Sequence, residues 1–281
     1  MTLRHPLTGE LFESPVPAGT GWPEDPAEVG TPVALDAGEV RQLAATDDLG
    51  ELEARVSVCK ACPRLVEWRE EVAVGKRKSF ADQPYWGRPI PGWGVPDPKI
   101  LIVGLAPAAN GGNRTGRVFT GDRSGDWLFA SLNRVGLASR PTSEHAGDGL
   151  HLIDTRMIAA VRCAPPANKP TPEERDTCAP WYRRELELVL PGTRSIVCLG
   201  KFAYDALLVA LIALGADVPR PRPKFGHAVE YRIPTPYGDV TVLGCFHPSQ
   251  QNTFTGKLTE EMLDAVLTRA KELSTGRPKG S

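Results

Sequence analysis

Asp122 and His247 are the two side chains whose types and neighbours best suit acid–base or electrostatic chemistry. Asp122 ends a glycine-rich segment and shortly precedes the stretch DWLFASL, which has a helical pattern. His247 follows an apolar run over 240–246 and directly precedes Pro248. An aspartate in such a position is as much expected to cap the helix as to act on a substrate, and a lone histidine is more often structural than catalytic. The residues alone therefore leave both interpretations open for each side chain.

The segment 104–122 has the composition of a tight, backbone-lined pocket. Glycine allows close approach of the backbone to a ligand, and amides in such a loop can hold a carbonyl oxygen or a developing negative charge. The segment matches neither GxxxxGK[ST] nor a strand-to-helix GxGxxG, which argues against a nucleoside triphosphate or dinucleotide site. Phe119 is suited to stack on a flat ligand, and Asn168 in PPANKP to read a base edge or stabilise a turn. The five glycines of the segment are Gly104, Gly111, Gly112, Gly116 and Gly121.

Four of the six cysteines have a distribution typical of a metal or cluster site rather than of disulfides. Four thiolates suit zinc and an iron–sulfur cubane equally well, so the spacing leaves the occupant open. A redox CxxC is disfavoured because no βαβ pattern surrounds this one. The candidate ligands are Cys59 and Cys62, which form the CxxC, with Cys163 and Cys178 far downstream. Cys198 and Cys245 lie inside apolar runs and are expected to be inert core thiols.

Four apolar, partly β-branched runs alternate with helical patterns, which predicts an α/β fold with a mostly parallel sheet. In such sheets ligands bind beyond the carboxyl ends of the strands. Each run is followed there by a chemically unusual segment, so these segments are expected to converge. The predicted strands are 99–103, 157–162, 194–199 and 240–246, and the predicted helices lie near 125–137, 172–190, 201–214 and 258–273. We interpret 1–34 as an irregular extension, 35–58 as one or two helices and 75–98 as a loop.

The formal net charge of −1 gives no general affinity for polyanions, so a nucleic-acid partner would have to be bound by local basic clusters. We interpret each cluster, taken alone, as solvated surface. The clusters are Lys76, Arg77 and Lys78; Arg114, Arg117 and Arg123; and Arg220, Arg222 and Lys224. The N-terminus lacks an apolar signal region and the longest apolar run is too short to cross a bilayer, so we expect no membrane partner and a cytoplasmic location.

Three long segments together closely resemble the signature segments of the type-5 uracil-DNA glycosylases, an iron–sulfur family of the uracil-DNA glycosylase superfamily. The resemblance covers about residues 58–273 and includes all four candidate cysteine ligands in the expected order. The segments are GLAPAANGGNRTGRVFTGD, VRCAPPANKPTPEE and CFHPSQQNTFTGKLT.

This resemblance implies a three-layer α/β/α sandwich that extrudes a deaminated base from DNA and hydrolyses its N-glycosidic bond. It implies a structural [4Fe-4S] cluster on the four candidate cysteines. Ala159 stands where uracil-specific relatives place a base-reading asparagine, which implies a wider substrate range that includes hypoxanthine, xanthine and ethenocytosine. The implied site residues are Asp122 as catalytic carboxylate, His247 as donor to the leaving base, and Gly104, Ala106, Phe119 and Asn168 as contacts to the extruded base.

Some features lie outside the resemblance. Asn110 stands where histidine is most often expected, so its side chain is assigned no role. Residues 1–50 are expected to form an extension, 51–275 the glycosylase-like domain and 276–281 a tail. We expect a monomer that acts on double-stranded and also on single-stranded DNA. The alternative from another class is a non-catalytic iron–sulfur protein that binds DNA lesions or senses redox state, and that would retard DNA on a gel without producing abasic sites.

Overall fold

A central sheet of six strands organises the computed structural model, which describes residues 2–275. The strands of the described residues are β1 (Leu3–Arg4), β2 (Leu11–Phe12), β3 (Trp93–Gly94), β4 (Ile100–Gly104), β5 (Thr155–Ala159), β6 (Ser195–Leu199), β7 (Glu230–Thr235) and β8 (Gly238–Cys245). The central sheet has the order β3-β5-β4-β6-β8-β7. Its four inner strands pair in parallel, and the two edge strands pair antiparallel. The carboxyl ends of the inner strands therefore meet at one edge of the sheet.

Helices cover both faces of this sheet. The α-helices of the described residues are α1 (Ala37–Leu43), α2 (Leu49–Val58), α3 (Pro63–Gly75), α4 (Gly112–Thr115), α5 (Arg123–Arg134), α6 (Pro172–Val189), α7 (Lys201–Ala213), α8 (Gln250–Phe254) and α9 (Glu260–Ser274). Because side chains alternate along a strand, Ile100 and Ile102 of β4 pack with α5 and α9, whereas Leu101 and Val103 pack with α6 and α7. The predicted three-layer α/β/α arrangement with a mostly parallel sheet is confirmed.

Both edge strands were missed by the sequence pattern. β7 has the sequence EYRIPT, in which only Ile233 is buried and Pro234 interrupts the β-forming residues. Proline is tolerated there because an edge strand leaves one row of amides unpaired. β3 has two residues within the predicted loop 75–98 and pairs with β5 through Trp93 and Gly94. β4, β5 and β6 are buried throughout and β8 is buried from Val242 to Cys245, which is why their apolar runs were recognisable.

The N-terminal region packs on the core rather than standing apart from it. β1 and β2 pair as a short antiparallel hairpin, and Phe12, Val16 and Trp22 join the same apolar cluster as α5 and α9. Val40 of α1 packs beside α2 and α6 in a third cluster. The predicted tail 276–281 lies outside the described residues. Among the helices that the structure describes, none has the length and apolar character needed to cross a membrane.

Candidate active site

An open cavity of about 750 Å³ lies at the carboxyl ends of the inner strands. The loop after β4, the start of α5, the turn after β5 and the start of α8 all contribute to its lining, as expected for convergent segments of a parallel sheet. The lining residues that matter below are Asn110, Gly111, Asp122, Asp126, Asn168 and Gln250. The structure thus brings Asp122 and Asn168, two of the predicted site residues, to one cavity.

Asp122 is both an N-cap and a cavity residue. It has extended backbone geometry, and its Oδ1 accepts the amide hydrogen of Gly125 at 2.9 Å, which fixes the carboxylate at the start of α5. A Cβ added at Gly111 would lie 2.6 Å from Oδ2 of Asp122, so only a glycine lets the preceding loop pass this close. The helix cap therefore fixes Oδ1, Gly111 leaves room for Oδ2, and Asp122 lines the cavity.

His247 lies beside Asp122 at the end of β8 but does not contribute to the lining of the cavity. Its carbonyl oxygen accepts hydrogen bonds from the Ser249 amide at 2.7 Å and from Nδ2 of Asn252 at 2.8 Å, which fixes the turn that carries the ring. Burial lowers the pKa of His247, and the nearby charge of Asp122 opposes that shift. The imidazole is therefore neutral near pH 7 and retains one N–H for a ligand.

Phe119 and Gly104 are in direct contact. Phe119 has a φ of 54°, an uncommon left-handed conformation, and its ring covers the end of β4. A Cβ at Gly104 would lie 2.5 Å from Cζ of Phe119, so the ring position requires glycine there. Ala159 pairs with Gly104 in the parallel register and is buried, while Ala106 is partly buried two residues beyond β4. Gly104, Ala106 and Phe119 do not line the cavity that contains Asp122.

Asn168 is an exposed residue that lines the cavity containing Asp122. It ends a short 3-10 turn, Pro166–Asn168, with a φ of 56°, and its amide donates to the carbonyl of Pro165 at 3.1 Å. Asparagine is one of the few residues that adopts this left-handed conformation readily. The turn leaves the carboxamide of Asn168 free to contact a ligand in the cavity.

The four candidate cysteine ligands line one small cavity between α2, α3, α6 and the segment after β5. Arg69, which is 1% exposed, donates from Nη1 to Sγ of Cys163 at 2.9 Å and from Nη2 to the carbonyl of Cys59 at 3.1 Å. Nε of Arg69 is buried without a hydrogen-bond partner among residues 2–275. Burial, followed by the nearby thiols Cys163 and Cys59, raises the pKa of Cys62 to about 12.

This thiol cavity suits a negatively charged group. Arg69 and Arg162 both contribute to its wall, and each is buried. A cluster held by four thiolates is anionic, and buried cations compensate such a charge. Within the described residues, no group of three or more His, Cys, Asp or Glu side chains is arranged to hold a metal ion. Cys198 and Cys245, by contrast, are fully buried in β6 and β8 as predicted.

Comparison with known proteins decides the family. The model of the uracil DNA glycosylase superfamily matches residues 91–271, which include Asp122, Asn168 and His247. The chain belongs to the uracil-DNA glycosylase superfamily. It is 57% identical over 271 residues to the type-5 uracil-DNA glycosylase of Mycobacterium tuberculosis, covering 96% of this chain and 98% of that protein. It is 49% identical over 219 residues to the type-5 enzyme of Thermus thermophilus, covering 78% and 95% respectively.

A more distant relative belongs to a second type of this superfamily. The type-4 uracil-DNA glycosylase of Archaeoglobus fulgidus is 28% identical over 161 residues, which cover 57% of this chain and 70% of that protein. The higher identity and coverage of the type-5 relatives agree with the resemblance found in the three signature segments.

Two residues that line the cavity, Asn110 and Asp126, were assigned no role from the sequence. The hydroxyl of buried Tyr85 accepts the Arg77 amide hydrogen at 3.4 Å and donates to Oδ1 of Asn110 at 2.9 Å. Asn110 is thereby held in the cavity wall. Burial, followed by the charge of Asp122, raises the pKa of Asp126, which lies one helical turn beyond Asp122. The four-residue spacing of the two aspartates was the signal available in the sequence.

The interpretation of every basic cluster as solvated surface is wrong for Arg114 and Arg117. Arg117 is 1% exposed, and its Nη1 lies 2.8 Å from Oδ1 of Asp148. Arg114 is 6% exposed and donates to the carbonyl of Gly121 at 2.9 Å, which braces the loop before Asp122. Arg114 is satisfied by the loop carbonyls of Asn110 and Gly121, whereas the acceptors of Arg117 are the side chains of Glu24, Ser143 and Asp148, outside the loop.

The surface interpretation is also wrong for Lys76, which is half-buried and donates from Nζ to the carbonyl of Gln83 at 2.6 Å, but it is correct for the remaining positions. Arg220, Arg222 and Lys224 are exposed. Arg77 and Arg123 are also exposed, and both line the cavity that contains Asp122. Because these two arginines are exposed at the rim of the cavity, they can contact phosphate groups.

Proposed function

We propose that this protein removes uracil from DNA by hydrolysing the N-glycosidic bond, with Asp122 acting at the cavity. The observation that carries this proposal is the capped carboxylate of Asp122 in a cavity whose rim bears Arg77 and Arg123. A base within a duplex cannot reach such a cavity, so the nucleotide is extruded, and extrusion costs least for a mismatched pair. Uracil opposite guanine is therefore the preferred first substrate. The protein acts as a monomer, on duplex and also on single-stranded DNA.

The extruded base is held by stacking and by hydrogen bonds. We assign stacking on the base to Phe119, whose ring is held against Gly104 at the end of β4. Asn168 contacts the base edge with its carboxamide, which has both donor and acceptor atoms. We assign Gly104 and Ala106 to the base contact on the family resemblance, since neither residue lines the cavity that contains Asp122.

The chemical step separates charge between the sugar and the base. The C1′–N bond breaks and its electron pair goes to the base. The hydroxyl of the attacking water adds to C1′, and the remaining proton of that water is transferred to the released base. The carboxylate of Asp122 stabilises the positive charge that develops on the sugar and orients the attacking water. The neutral imidazole of His247 donates its hydrogen to an oxygen of the leaving base, which stabilises the developing negative charge.

The same site accepts other deaminated or damaged bases. Ala159 is 2% exposed and faces the core beside Gly104, so it offers no side-chain donor or acceptor to select uracil. A pocket without a discriminating hydrogen-bond group rejects analogues weakly. Hypoxanthine, xanthine and ethenocytosine are the further substrates that we propose.

The four cysteines that line the thiol cavity would hold a [4Fe-4S] cluster. Their convergence on one cavity, and the buried cations Arg69 and Arg162 in its wall, support this assignment over chance thiols. The cluster would supply a covalent cross-link between α2, α3, α6 and the segment after β5, with no part in bond cleavage. Nη1 of Arg69 donates a hydrogen bond to the Cys163 thiol from the protein side.

Incubation of the protein, in molar excess, with an end-labelled duplex that contains one U opposite G tests the proposed activity. Alkali then cleaves the strand wherever a base has been lost. Strand cleavage at the U position, absent from a matched T:A duplex, is the expected result. Retardation of the duplex on a gel without any abasic site would overturn the enzymatic proposal and favour a lesion-binding protein.

A further inference from the structure

Two buried side chains join the thiol cavity to the loop that carries Asp122. Arg69 is on α3 and lines the thiol cavity, whereas Asn113 is on α4, within the glycine-rich segment 104–122. Each of the two residues is 1% exposed. Nδ2 of Asn113 donates to the carbonyl oxygen of Arg69 at 3.1 Å, so a direct hydrogen bond connects the two elements.

The guanidinium of Arg69 contacts two of the candidate cluster ligands. Nη1 donates to Sγ of Cys163 at 2.9 Å, and Nη2 donates to the carbonyl oxygen of Cys59 at 3.1 Å. In the described part of the chain, the only carboxylate in ion-pair contact with Arg69 is that of Glu70, and its Oε1 is 3.9 Å from Nη2. This buried cation therefore lacks a close carboxylate partner.

The charge of Arg69 calls for a negative group in the thiol cavity. Arginine stays protonated in proteins, and a buried cation that is not compensated is strongly destabilising. Arg162 is a second buried cation of this cavity, but its Nη2 lies 2.7 Å from Oε2 of Glu185, which compensates it. A cluster held by four thiolates would supply the corresponding negative charge to Arg69.

On the side away from the thiols, α4 is tied to Asp122. A Cβ added at Gly111, the residue before α4, would lie 2.6 Å from Oδ2 of Asp122. Arg114 follows Asn113 on α4, and its Nη2 donates to the carbonyl oxygen of Gly121 at 2.9 Å. A displacement of α4 would therefore move the backbone that packs on the carboxylate and the backbone that precedes it.

We propose that Arg69 is a positioning residue that couples the [4Fe-4S] cluster to the carboxylate of Asp122. Its guanidinium fixes α3 against the thiolates, and its carbonyl fixes α4 against α3 through Asn113. A hydrogen bond from a cation to a ligand sulfur also stabilises the more reduced state of an iron–sulfur cluster, which raises the reduction potential. The inference rests on the proposed function, because it needs both the cluster and a reaction at Asp122.

Four variants separate the two parts of this coupling. Arg69→Met removes the charge and the bond to Cys163 while it retains an unbranched side chain, and Arg69→Lys retains the charge. Asn113→Ser shortens the side chain that reaches the Arg69 carbonyl and leaves the thiols unchanged. Arg64→Gln is the matched control, because Arg64 is an exposed cation of the same helix that pairs with Glu174 rather than with a thiol.

The reduction potential of the cluster, measured by voltammetry on the purified holoprotein, is a readout that a purely structural role would not move. Arg69→Met should shift this potential to a lower value than that of the wild-type protein, and Arg69→Lys should restore most of the difference. Asn113→Ser and Arg64→Gln should stay close to the wild-type value, since solvent screens an exposed charge. Equal potentials for Arg69→Met and Arg64→Gln would overturn the proposal.

Hydrogen exchange of the amides of residues 108–122 follows the loop in the absence of any reaction. Exchange should be faster in Arg69→Met and Asn113→Ser than in the wild-type protein and Arg64→Gln. Single-turnover uracil excision from U:G duplex should fall by roughly 10-fold or more in the same two variants, because the carboxylate is displaced. Asn113→Ser keeps this test available if Arg69→Met purifies without iron. Wild-type exchange and wild-type rate in folded Asn113→Ser would overturn the coupling.

A failure of the proposed function gives a different result. Wild-type holoprotein that releases no uracil would contradict that function, whereas the reduction potential and the hydrogen exchange would still test the link from Arg69 to the loop. Wild-type protein that contains zinc, with no iron or sulfide, would contradict the cluster and this inference together.

Discussion

Asp122 shows how one residue serves the helix and the site together. Its Oδ1 satisfies an amide of α5, which otherwise has no intrahelical acceptor, and this bond removes the rotamer freedom of the carboxylate. The sequence left helix capping and catalysis as alternatives, but the structure shows the cap and a place in the cavity for the same side chain. A capped carboxylate is preorganised, which is what electrostatic stabilisation of a transition state requires.

The contact between Gly104 and Phe119 makes a prediction at the same scale. Gly104→Ala would place a Cβ 2.5 Å from Cζ of Phe119 and force the ring away from the base. We expect the single-turnover rate on U:G duplex to fall by roughly 10- to 100-fold, because displacement by about 1 Å is that costly in an active site. The control is Gly75→Ala at the end of α3, where an added Cβ meets nothing within 4 Å. Equal rates for the two variants would contradict the proposed role of Phe119.

At the scale of elements, the inner strands and their helices were predictable and the hairpin contacts were not. β4, β5 and β6 are buried on both faces, so their sequences are continuous apolar runs, and the order of strands and helices then implies a parallel sheet. The placement of the β1–β2 hairpin depends on a hydrogen bond between His5 and His145, which are separated by 140 positions. No local pattern encodes such a contact, and the same holds for the burial of Arg117 against Asp148.

The hydrogen bond between His5 and His145 predicts that the stability of the β1–β2 hairpin depends on pH. In the folded protein the pKa is lowered from 6.5 to about 4 for His5 and to about 3 for His145. The neutral form of each imidazole therefore favours folding. Their contribution is complete above about pH 6.5 and is lost as the pH falls towards 4. Arg114 and Arg117 lie near His145 and disfavour its protonation further.

Thermal unfolding at pH 7.5 and at pH 5 measures this contribution. The wild-type protein should lose stability between the two values, and His5→Asn should lose less because one titrating ring is gone. His151→Asn, at an exposed position, should behave like the wild-type protein. If the thermal stability of His5→Asn depends on pH in the same way as that of His151→Asn, the pair His5 and His145 does not titrate in this range.

The proposed cluster in the thiol cavity leads to a prediction about iron content and stability. Cys62→Ser should abolish the visible absorbance and the bound iron and sulfide of the purified protein, and should lower Tm by roughly 5–10 °C because the cross-link between distant segments is lost. Cys245→Ala removes a buried thiol of β8 and should retain the iron. Stoichiometric zinc in anaerobically purified wild-type protein, with no iron or sulfide, would contradict the cluster.

At the scale of the whole molecule, affinity for DNA must come from position rather than from total charge. The net charge is −1, so attraction to phosphates depends on exposed cations at the cavity rim such as Arg77 and Arg123. The family resemblance predicted the fold and the activity class from three segments. It could not assign Pro6 and Leu7 to the lining of the cavity, because residues 1–50 lay outside those segments.

Replacement of Arg77 tests the electrostatic part of this account. Arg77→Gln should weaken binding to duplex DNA regardless of sequence and reduce the slope of log K against log salt by about 1, as expected for the loss of one phosphate contact. Arg220→Gln removes the same charge from an exposed position that does not line the cavity, and should leave the slope unchanged. Identical slopes for the two variants would place the phosphate contacts elsewhere.

The central claim is that the glycosidic bond is broken at Asp122, and a pair of aspartate variants tests it most directly. Asp48 caps α2 through a 2.7 Å bond to the Glu51 amide and lies outside the cavity lining, so Asp48→Asn controls for a change of cap alone. In single turnover on U:G duplex, Asp122→Asn should be slower than the wild-type protein by about 100-fold or more, and Asp48→Asn should stay within about twofold. Folded Asp122→Asn that releases uracil at the wild-type rate would contradict the account.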